Sequence, residues 1–338
     1  MKPVTLAYRS DWNWSDLPPG RVRWRELTHI AHAFAEPKRT GFTFPEEDHG
    51  RGLVAAARAN GVAALLAVGG EGSNRALSAL CASDAGAQKA ADQIVAFADR
   101  QGYSGVDVDW EHPESAADSQ RLTRFVALLR ERLPHPRLVT LAAPTSEYYG
   151  RWYDAGAMLP HLDWFAVMCY DFYGAWTKHA GYHAALYPSR TVTGGEEEAA
   201  LLTGDAAIRY WRERRRLPAA KLLLGVPLYA RGFRAAAWGA RKTADTAPEE
   251  MPFRALAVRK DLLAARDDAA VAATWVSADG AVRYAGDDNE TARRKGAWAR
   301  ERNLGGVFFW ELSEDGDGHK MPSLVAAARA GLLGSTKL

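Results

Sequence analysis

Ser104-Gly105-Val106-Asp107-Val108-Asp109-Trp110-Glu111 sets three acids two residues apart in an otherwise apolar run. Residues two apart on a strand share a face, so Asp107, Asp109 and Glu111 point the same way. The alternate positions, Val106 and Val108, are apolar as well, which is how a parallel strand covered on both faces reads. In a closed parallel barrel the face carrying the acids is the interior or its mouth. Carboxyls converging there cannot all ionise, so at least one keeps its proton to a higher pH than a free carboxyl does. A general acid needs that property. From the triplet alone three readings stand: acid catalysis, a divalent-ion site, and a structural polar network.

Outward from this run, short apolar, β-branched or aromatic stretches recur at about 3–8, 28–35, 63–69, 105–110, 138–144, 163–170, 222–229 and 305–311. Helical patterns lie between them, notably at 85–101, 117–132, 196–215 and 288–303. In the second, Leu122, Phe125, Val126 and Leu129 form one apolar face, and Arg121, Arg124 and Arg130 fall outside it, where solvent is expected. Eight β–α units predict an α/β fold, a closed (β/α)8 TIM barrel with its active site at the C-terminal ends of the strands. A doubly wound open sheet is the alternative; it is disfavoured because no G-x-G-x-x-G follows the first strand and eight strands suit closure.

The interval between the seventh and eighth strands is the longest. It holds Ala273-Thr274-Trp275-Val276 and Ala281-Val282-Arg283-Tyr284, joined by Ser277-Ala278-Asp279-Gly280. Asp-Gly between two such runs is a hairpin signal. Residues 232–287 are therefore expected to form a small α+β insertion on the barrel rim, leaving 1–231 and 288–338 as the catalytic barrel. The Gly-, Thr- and Pro-bearing stretch 174–195 is expected as a second long loop on the same rim.

Composition removes several function classes. The 338 residues are 47% hydrophobic and 25% charged with a net charge of +2, the balance of a soluble globular protein. The basic run Arg212, Arg214, Arg215, Arg216 reads as the solvated C-terminal end of a helix, so no nucleic-acid partner is expected. No stretch reaches the roughly 18 apolar residues of a membrane span, and Val4-Thr5-Leu6-Ala7-Tyr8 follows the N-terminus without a signal-peptide apolar core. No membrane partner is expected. Nine His form no H-E-x-x-H or similar cluster, so neither a metal nor another cofactor is implied. Cys81 and Cys169 have no motif spacing, and Cys169 reads as a small buried hydrophobe. Twelve Trp and twelve Tyr exceed what a core needs, which points to exposed aromatic platforms of the kind sugar rings stack on.

The octapeptide at 104–111 resembles the D-G-x-D-x-D-x-E signature of glycoside hydrolase family 18 chitinases. Three further segments match that family in order. Met168-Cys169-Tyr170-Asp171-Phe172-Tyr173-Gly174-Ala175-Trp176 is similar to its M-x-Y-D-[FL]-x-G-x-W segment. Gly225-Val226-Pro227-Leu228-Tyr229-Ala230-Arg231-Gly232-Phe233 is similar to its G-x-P-x-Y-G-R-x-F strand. Gly305-Gly306-Val307-Phe308-Phe309-Trp310-Glu311-Leu312 is similar to its G-G-x-x-x-W strand, and His29, Ala33 and Phe34 echo its second strand. The resemblance spans the whole chain. It implies a retaining mechanism in which the substrate's own 2-acetamido group is the nucleophile. Glu111 would be the general acid, Asp109 the group orienting the acetamido, and Asp107 its proton-sharing partner. Tyr170 would bond the acetamido oxygen, Asp171 would hold the distorted sugar, and Trp310 would lie beneath it. Tyr8, Phe34, Trp176, Tyr229 and Arg231 would line the cleft. The implied partners are chitin or N-acetylglucosamine oligosaccharides, the enzyme is expected as a monomer, and the substrate class favours an extracellular setting.

Two departures carry expectations of their own. Ser104 replaces the signature's first Asp but has the parity of Val106, so it should face away from the acids. The family's S-x-G-G reads Ala67-Val68-Gly69-Gly70 here, which removes a hydroxyl from the neighbourhood of Asp107. That leaves Asp107 one partner short, to be made up by Tyr8 or water, at a cost of about 1–3 kcal/mol if unreplaced; a shifted acidic limb of the pH–rate profile is expected. An endo-β-N-acetylglucosaminidase acting on N-glycans or peptidoglycan would use the same acids, and a non-catalytic chitin-binding lectin would lose the terminal one. Trp12, Trp14, Trp152, Trp176 and Trp275 favour a linear chitin-like chain.

Overall fold

The computed structural model describes residues 2–192, 201–243, 250–316, 321 and 323–335. Eight parallel strands close into a barrel: β1 (Val4–Ser10), β2 (His29–Lys38), β4 (Ala63–Gly70), β5 (Gly105–Trp110), β6 (Leu138–Ala143), β7 (Phe165–Val167), β8 (Leu222–Pro227) and β14 (Gly306–Trp310). The sheet runs β1-β14-β8-β7-β6-β5-β4-β2, and β1 pairs with β2 to close it. The expected (β/α)8 TIM barrel is therefore the fold. A short β3 (Gly41–Thr43) extends β2 as an antiparallel hairpin.

Three strands differ in length from the sequence reading. The run at 163–170 is a strand only at Phe165–Val167. Beyond it the chain turns tightly, with Cys169 N donating to Val167 O and Tyr170 N to Met168 O, and this swings Tyr170 and Asp171 over the barrel mouth. β8 stops at Pro227, which has no N–H to continue the ladder. β2 runs on to Lys38 past an irregularity between His32 and Ala35.

Helices at Asp84–Gln101, Ala116–Arg132 and Asn289–Glu301 lie where periodicity placed them. Leu122, Phe125, Val126 and Leu129 are fully buried. Arg130 departs from its expected solvent position: its guanidinium bonds the carbonyls of Leu133, Arg137 and His161 and pairs with Asp163. Part of the 196–215 helix lies outside the described residues. What is described begins at Gly204, capped by Thr203, and ends in a π-helical turn at Tyr210–Arg214. Cys81 and Cys169 are both free and buried.

Past β8 the chain enters a second, antiparallel sheet of β9 (Tyr229–Arg234), β10 (Glu250–Pro252), β11 (Leu262–Asp267), β12 (Ala272–Ser277) and β13 (Val282–Gly286), ordered β10-β9-β13-β12-β11. The Asp279-Gly280 segment joins β12 to β13 as an antiparallel pair, with Trp275 opposite Tyr284. Trp275 is buried in this sheet's core and is not a platform. We propose that 232–287 behaves as a subdomain; its first boundary falls inside β9. The loop from 174 meets it where Ala180 and Gly239–Ala240 exchange backbone hydrogen bonds. Among the described residues no helix is long and apolar enough to cross a membrane.

Candidate active site

β5 delivers the three acids in a row. Asp107 is completely buried, and in register Ala67 of β4 stands on one side of it and Thr140 of β6 on the other. Tyr8 Oη donates to Asp107 Oδ2 at 2.5 Å, and Thr140 Oγ1 donates to Oδ1. Burial raises the Asp107 pKa, and these two bonds pull it back. The partner expected to be missing opposite Ala67 is thus supplied by β1, and both oxygens are bonded. Tyr8 is the replacement the sequence suggested, and with both oxygens bonded Ala67→Ser is now expected to leave the acidic limb of the pH–rate profile in place. A displacement of about half a unit or more would show that Asp107 still lacks a donor.

Asp109, two residues on, is buried between Asp107 and Glu111. Burial, then the charges of Glu111 and Asp107, raise its pKa well above the ordinary value. Its Oδ1 is buried with no partner in the protein. A buried acceptor of this kind fits an N–H brought by a ligand.

Glu111 lies just past the end of β5, and its backbone is pinned. Its N–H donates to Ser73 Oγ at 3.1 Å, and its carbonyl accepts from Asn74 N. The indole of the preceding Trp110 donates to Asn74 Oδ1 at 2.7 Å. Gly69 makes room for this arrangement: its φ is +119°, and a Cβ there would lie 1.9 Å from the Asp109 carbonyl oxygen. Burial, then the nearby charge of Glu71, pushes the Glu111 carboxyl up to about 7. It is the acid most readily kept protonated near neutral pH while facing open space.

Asp171 crosses the mouth from the turn after β7, in a left-handed conformation with φ of 58°. Arg231 holds it in a two-pronged ion pair, Nε to Oδ1 at 2.8 Å and Nη2 to Oδ2 at 2.9 Å. Tyr229 Oη also donates to Oδ1 at 2.8 Å. Burial alone would raise the Asp171 pKa, but its bonds with His183 and Arg231 hold the carboxyl well below the usual range. Tyr170, its neighbour, is buried, and burial with the charges of Asp109 and Glu111 keeps its phenol protonated.

His183 went unread in the sequence. It is fully buried, its Nδ1 lies 3.4 Å from both the backbone N and Oδ1 of Asp171, and its Nε2 faces the Tyr229 carbonyl at 3.3 Å. Nothing in the local pattern of the 174–195 loop marks it. Thr140 was missed as well, although the parity of the 138–144 strand could have placed it beside Asp107.

The floor of the site is aromatic. Phe34 stacks on Trp310 with centroids 5.6 Å apart, and Tyr8 packs against both rings. Trp12 leans over this pair from one side and is 59% exposed. Trp176 is 60% exposed, with the Arg231 guanidinium 5.2 Å from its ring. Trp14 instead stacks on His49, and Trp152 carries Arg151 over its ring. Contacts link most of the sequence-predicted residues: Tyr8 packs on Phe34 and Trp310 and bonds the buried Asp107, Asp109 bonds Glu111, and Tyr229 and Arg231 both bond Asp171. Among the described residues no group of three or more His, Cys, Asp or Glu is arranged to hold a metal ion.

The model of glycosyl hydrolases family 18 matches residues 4–315, and the chain belongs to that family. It is accordingly a glycoside hydrolase. A class V chitinase of Arabidopsis thaliana is 30% identical over 279 residues, covering 75% of this chain and 70% of the relative. Among solved structures, the second catalytic domain of the Ostrinia furnacalis Group II chitinase superposes with a TM-score of 0.90 at 22% identity, covering 100% of this chain and 98% of that one. A doubly substituted family 18 chitinase of Cycas revoluta, solved with (GlcNAc)4, gives a TM-score of 0.85 at 24% identity over 97% of this chain and 99% of its own.

Proposed function

We propose that the chain is a chitinase that hydrolyses β-1,4 linkages between N-acetylglucosamine units with retention, using the substrate's acetamido group as nucleophile. The observation that carries this reading is Asp109. It sits between two other carboxyls, hydrogen-bonds Glu111, and keeps one buried oxygen, Oδ1, without a protein partner. A second carboxylate acting directly as nucleophile would have to reach the anomeric carbon. Asp109 is suited instead to accept the acetamido N–H and to steady the charge that develops on it.

The Glu111 carboxyl donates its proton to the glycosidic oxygen as the bond to the anomeric carbon breaks. The acetamido oxygen, held by the Tyr170 hydroxyl, adds to that carbon from the opposite face and gives an oxazolinium ion. Glu111, now a carboxylate, takes a proton from water. The water oxygen adds to the anomeric carbon, the five-membered ring opens, and the β-configuration is restored. Asp107 shares a proton with Asp109 during the charge build-up, while Asp171 and the Trp310 face hold the sugar at the cleavage point. The exposed rings of Trp12, beside Phe34 and Trp310, and of Trp176, beside Arg231, favour a linear oligosaccharide over a branched glycan. The solved relative that holds (GlcNAc)4 supports the same substrate class.

Product analysis on N-acetylglucosamine oligomers, separated by length and anomer during the first turnovers, tests this directly. Short β-anomeric products are expected. An α-anomeric first product, or cleavage of N-glycans or peptidoglycan with the oligomers untouched, would remove the proposal in favour of an endo-acting N-acetylglucosaminidase or a different mechanism.

A further inference from the structure

The residue after Glu111 is His112, and it is not idle. Its ring lies against Tyr149, with centroids 4.3 Å apart, and its two nitrogens have different neighbours. Nδ1 is 3.0 Å from Tyr153 Oη, and Nε2 is 3.4 Å from Glu111 Oε2. Tyr153 decides between the tautomers. It is fully buried, and its single hydroxyl hydrogen is committed to the Trp110 carbonyl at 2.8 Å. Toward His112, then, Tyr153 can only accept, and Nδ1 must be the nitrogen that carries hydrogen. In the neutral ring Nε2 is left as a bare acceptor 3.4 Å from Glu111 Oε2.

We propose that His112 is a positioning residue for the general acid: locked as the Nδ1–H tautomer by Tyr153, it accepts the acidic hydrogen of Glu111 through Nε2. The inference rests on the reading of Glu111 as the acid. At 3.4 Å the contact is long for a hydrogen bond, and it belongs to the unliganded enzyme: when substrate fills the cleft the same hydrogen turns from Nε2 to the glycosidic oxygen, which Glu111 then protonates. The pair has two chemical consequences. Before cleavage, the acceptor favours the protonated carboxyl. After Glu111 has given its proton away, the new carboxylate faces a lone pair, which strengthens its pull on the hydrolytic water. The charges of Glu71 and Asp171 oppose ionisation of Glu111, whereas its hydrogen bond with Asp109 favours it. Glu114 and Glu111 bear on Tyr149, and Tyr153 and Tyr170 stand nearby. Burial lowers the His112 pKa to about 4, so the ring is neutral while Glu111 is still protonated.

The test compares His112→Phe, which keeps a ring and removes the acceptor, with His112→Gln, whose amide oxygen replaces it. The reading is kcat/KM against pH on the N-acetylglucosamine tetramer. Because the acceptor stabilises the protonated acid, His112→Phe should move the basic limb down by about one pH unit, and His112→Gln should bring it most of the way back. A limb that stays in place or moves upward in His112→Phe overturns the proposal, since Nε2–H donating to the carboxylate would act in the opposite sense. Should His112→Phe not fold, nitrogen-15 NMR of histidine-labelled wild-type protein decides: hydrogen on Nδ1 of His112 supports the proposal, and hydrogen on Nε2 overturns it. If Glu111 is not the acid, Glu111→Gln stays active whatever the His112 tautomer, so the two ideas fail separately.

Discussion

Glu111→Gln is expected to lower hydrolysis of the N-acetylglucosamine tetramer by about a thousandfold or more while changing tetramer affinity only a few-fold. Gln occupies the same volume and can still bond the glycosidic oxygen, but it has no proton to give. The same substitution should stabilise the fold at alkaline pH. In the folded enzyme the Glu111 carboxyl is pushed from 4.5 up to about 7. Between those values the folded chain holds a proton that the unfolded chain releases, so stability falls as pH rises through the window. That loss is complete above about 7 and amounts to about 3 kcal/mol. Gln does not titrate and escapes it. Urea unfolding of both proteins at pH 4 and pH 8 reads this out: the variant should gain on the wild type only at the higher pH. Near-wild-type turnover would remove Glu111 from its assigned role, and an equal gain at both pH values would remove the linkage argument.

Lys295→Met is expected to cost roughly 3–5 kcal/mol of stability. Lys295 is a cation sealed in the protein, with Asp287 Oδ2 and the Ala184 carbonyl each 2.5 Å from Nζ. Burial already raises the Asp287 pKa against the pull of Lys295, and Asp287 Oδ1 has no partner. Removing the ammonium strands a buried carboxylate, which must then take up a proton or admit water. Replacing both groups, as Asp287→Leu with Lys295→Met, should recover most of the loss, because two apolar side chains leave no orphan charge. Urea unfolding at pH 7 measures both steps; a single-variant loss under about 1 kcal/mol would show that the pair is solvated. The pair also fastens the segment that carries His183, so the single variant should weaken the grip on Asp171 as well.

The barrel and its acids were legible because period-two spacing survives any detail of tertiary packing: Asp107, Asp109 and Glu111 share a face whatever surrounds them. The partners of those acids were less legible. The missing hydroxyl at Ala67 suggested a deficit, but register, which local sequence does not contain, brings Thr140 and Tyr8 to the two oxygens. His183 lies in a loop without periodicity, and only the turn after β7 puts it under Asp171. The same turn is why 163–170 looked like one strand, since apolar content continues where pairing stops. Trp275 shows the converse limit, for aromatic content alone does not separate a platform from a core. His112 stood in plain view beside Glu111, yet its tautomer depends on where the Tyr153 hydrogen goes.

The Asp171–Arg231 clamp bears on how such enzymes can be recombined. Arg231 belongs to β9, whose other neighbours are Glu250 and Ala285 of the insertion's strands, and Glu250 reaches its guanidinium at 3.4 Å. The insertion is therefore not a detachable module. A chimera that exchanged it at a convenient loop would cut between a catalytic-rim carboxylate and the strand that aims its counter-ion. Grafts that respect this joint need to start before Tyr229, so that the strand and its two clamps travel together.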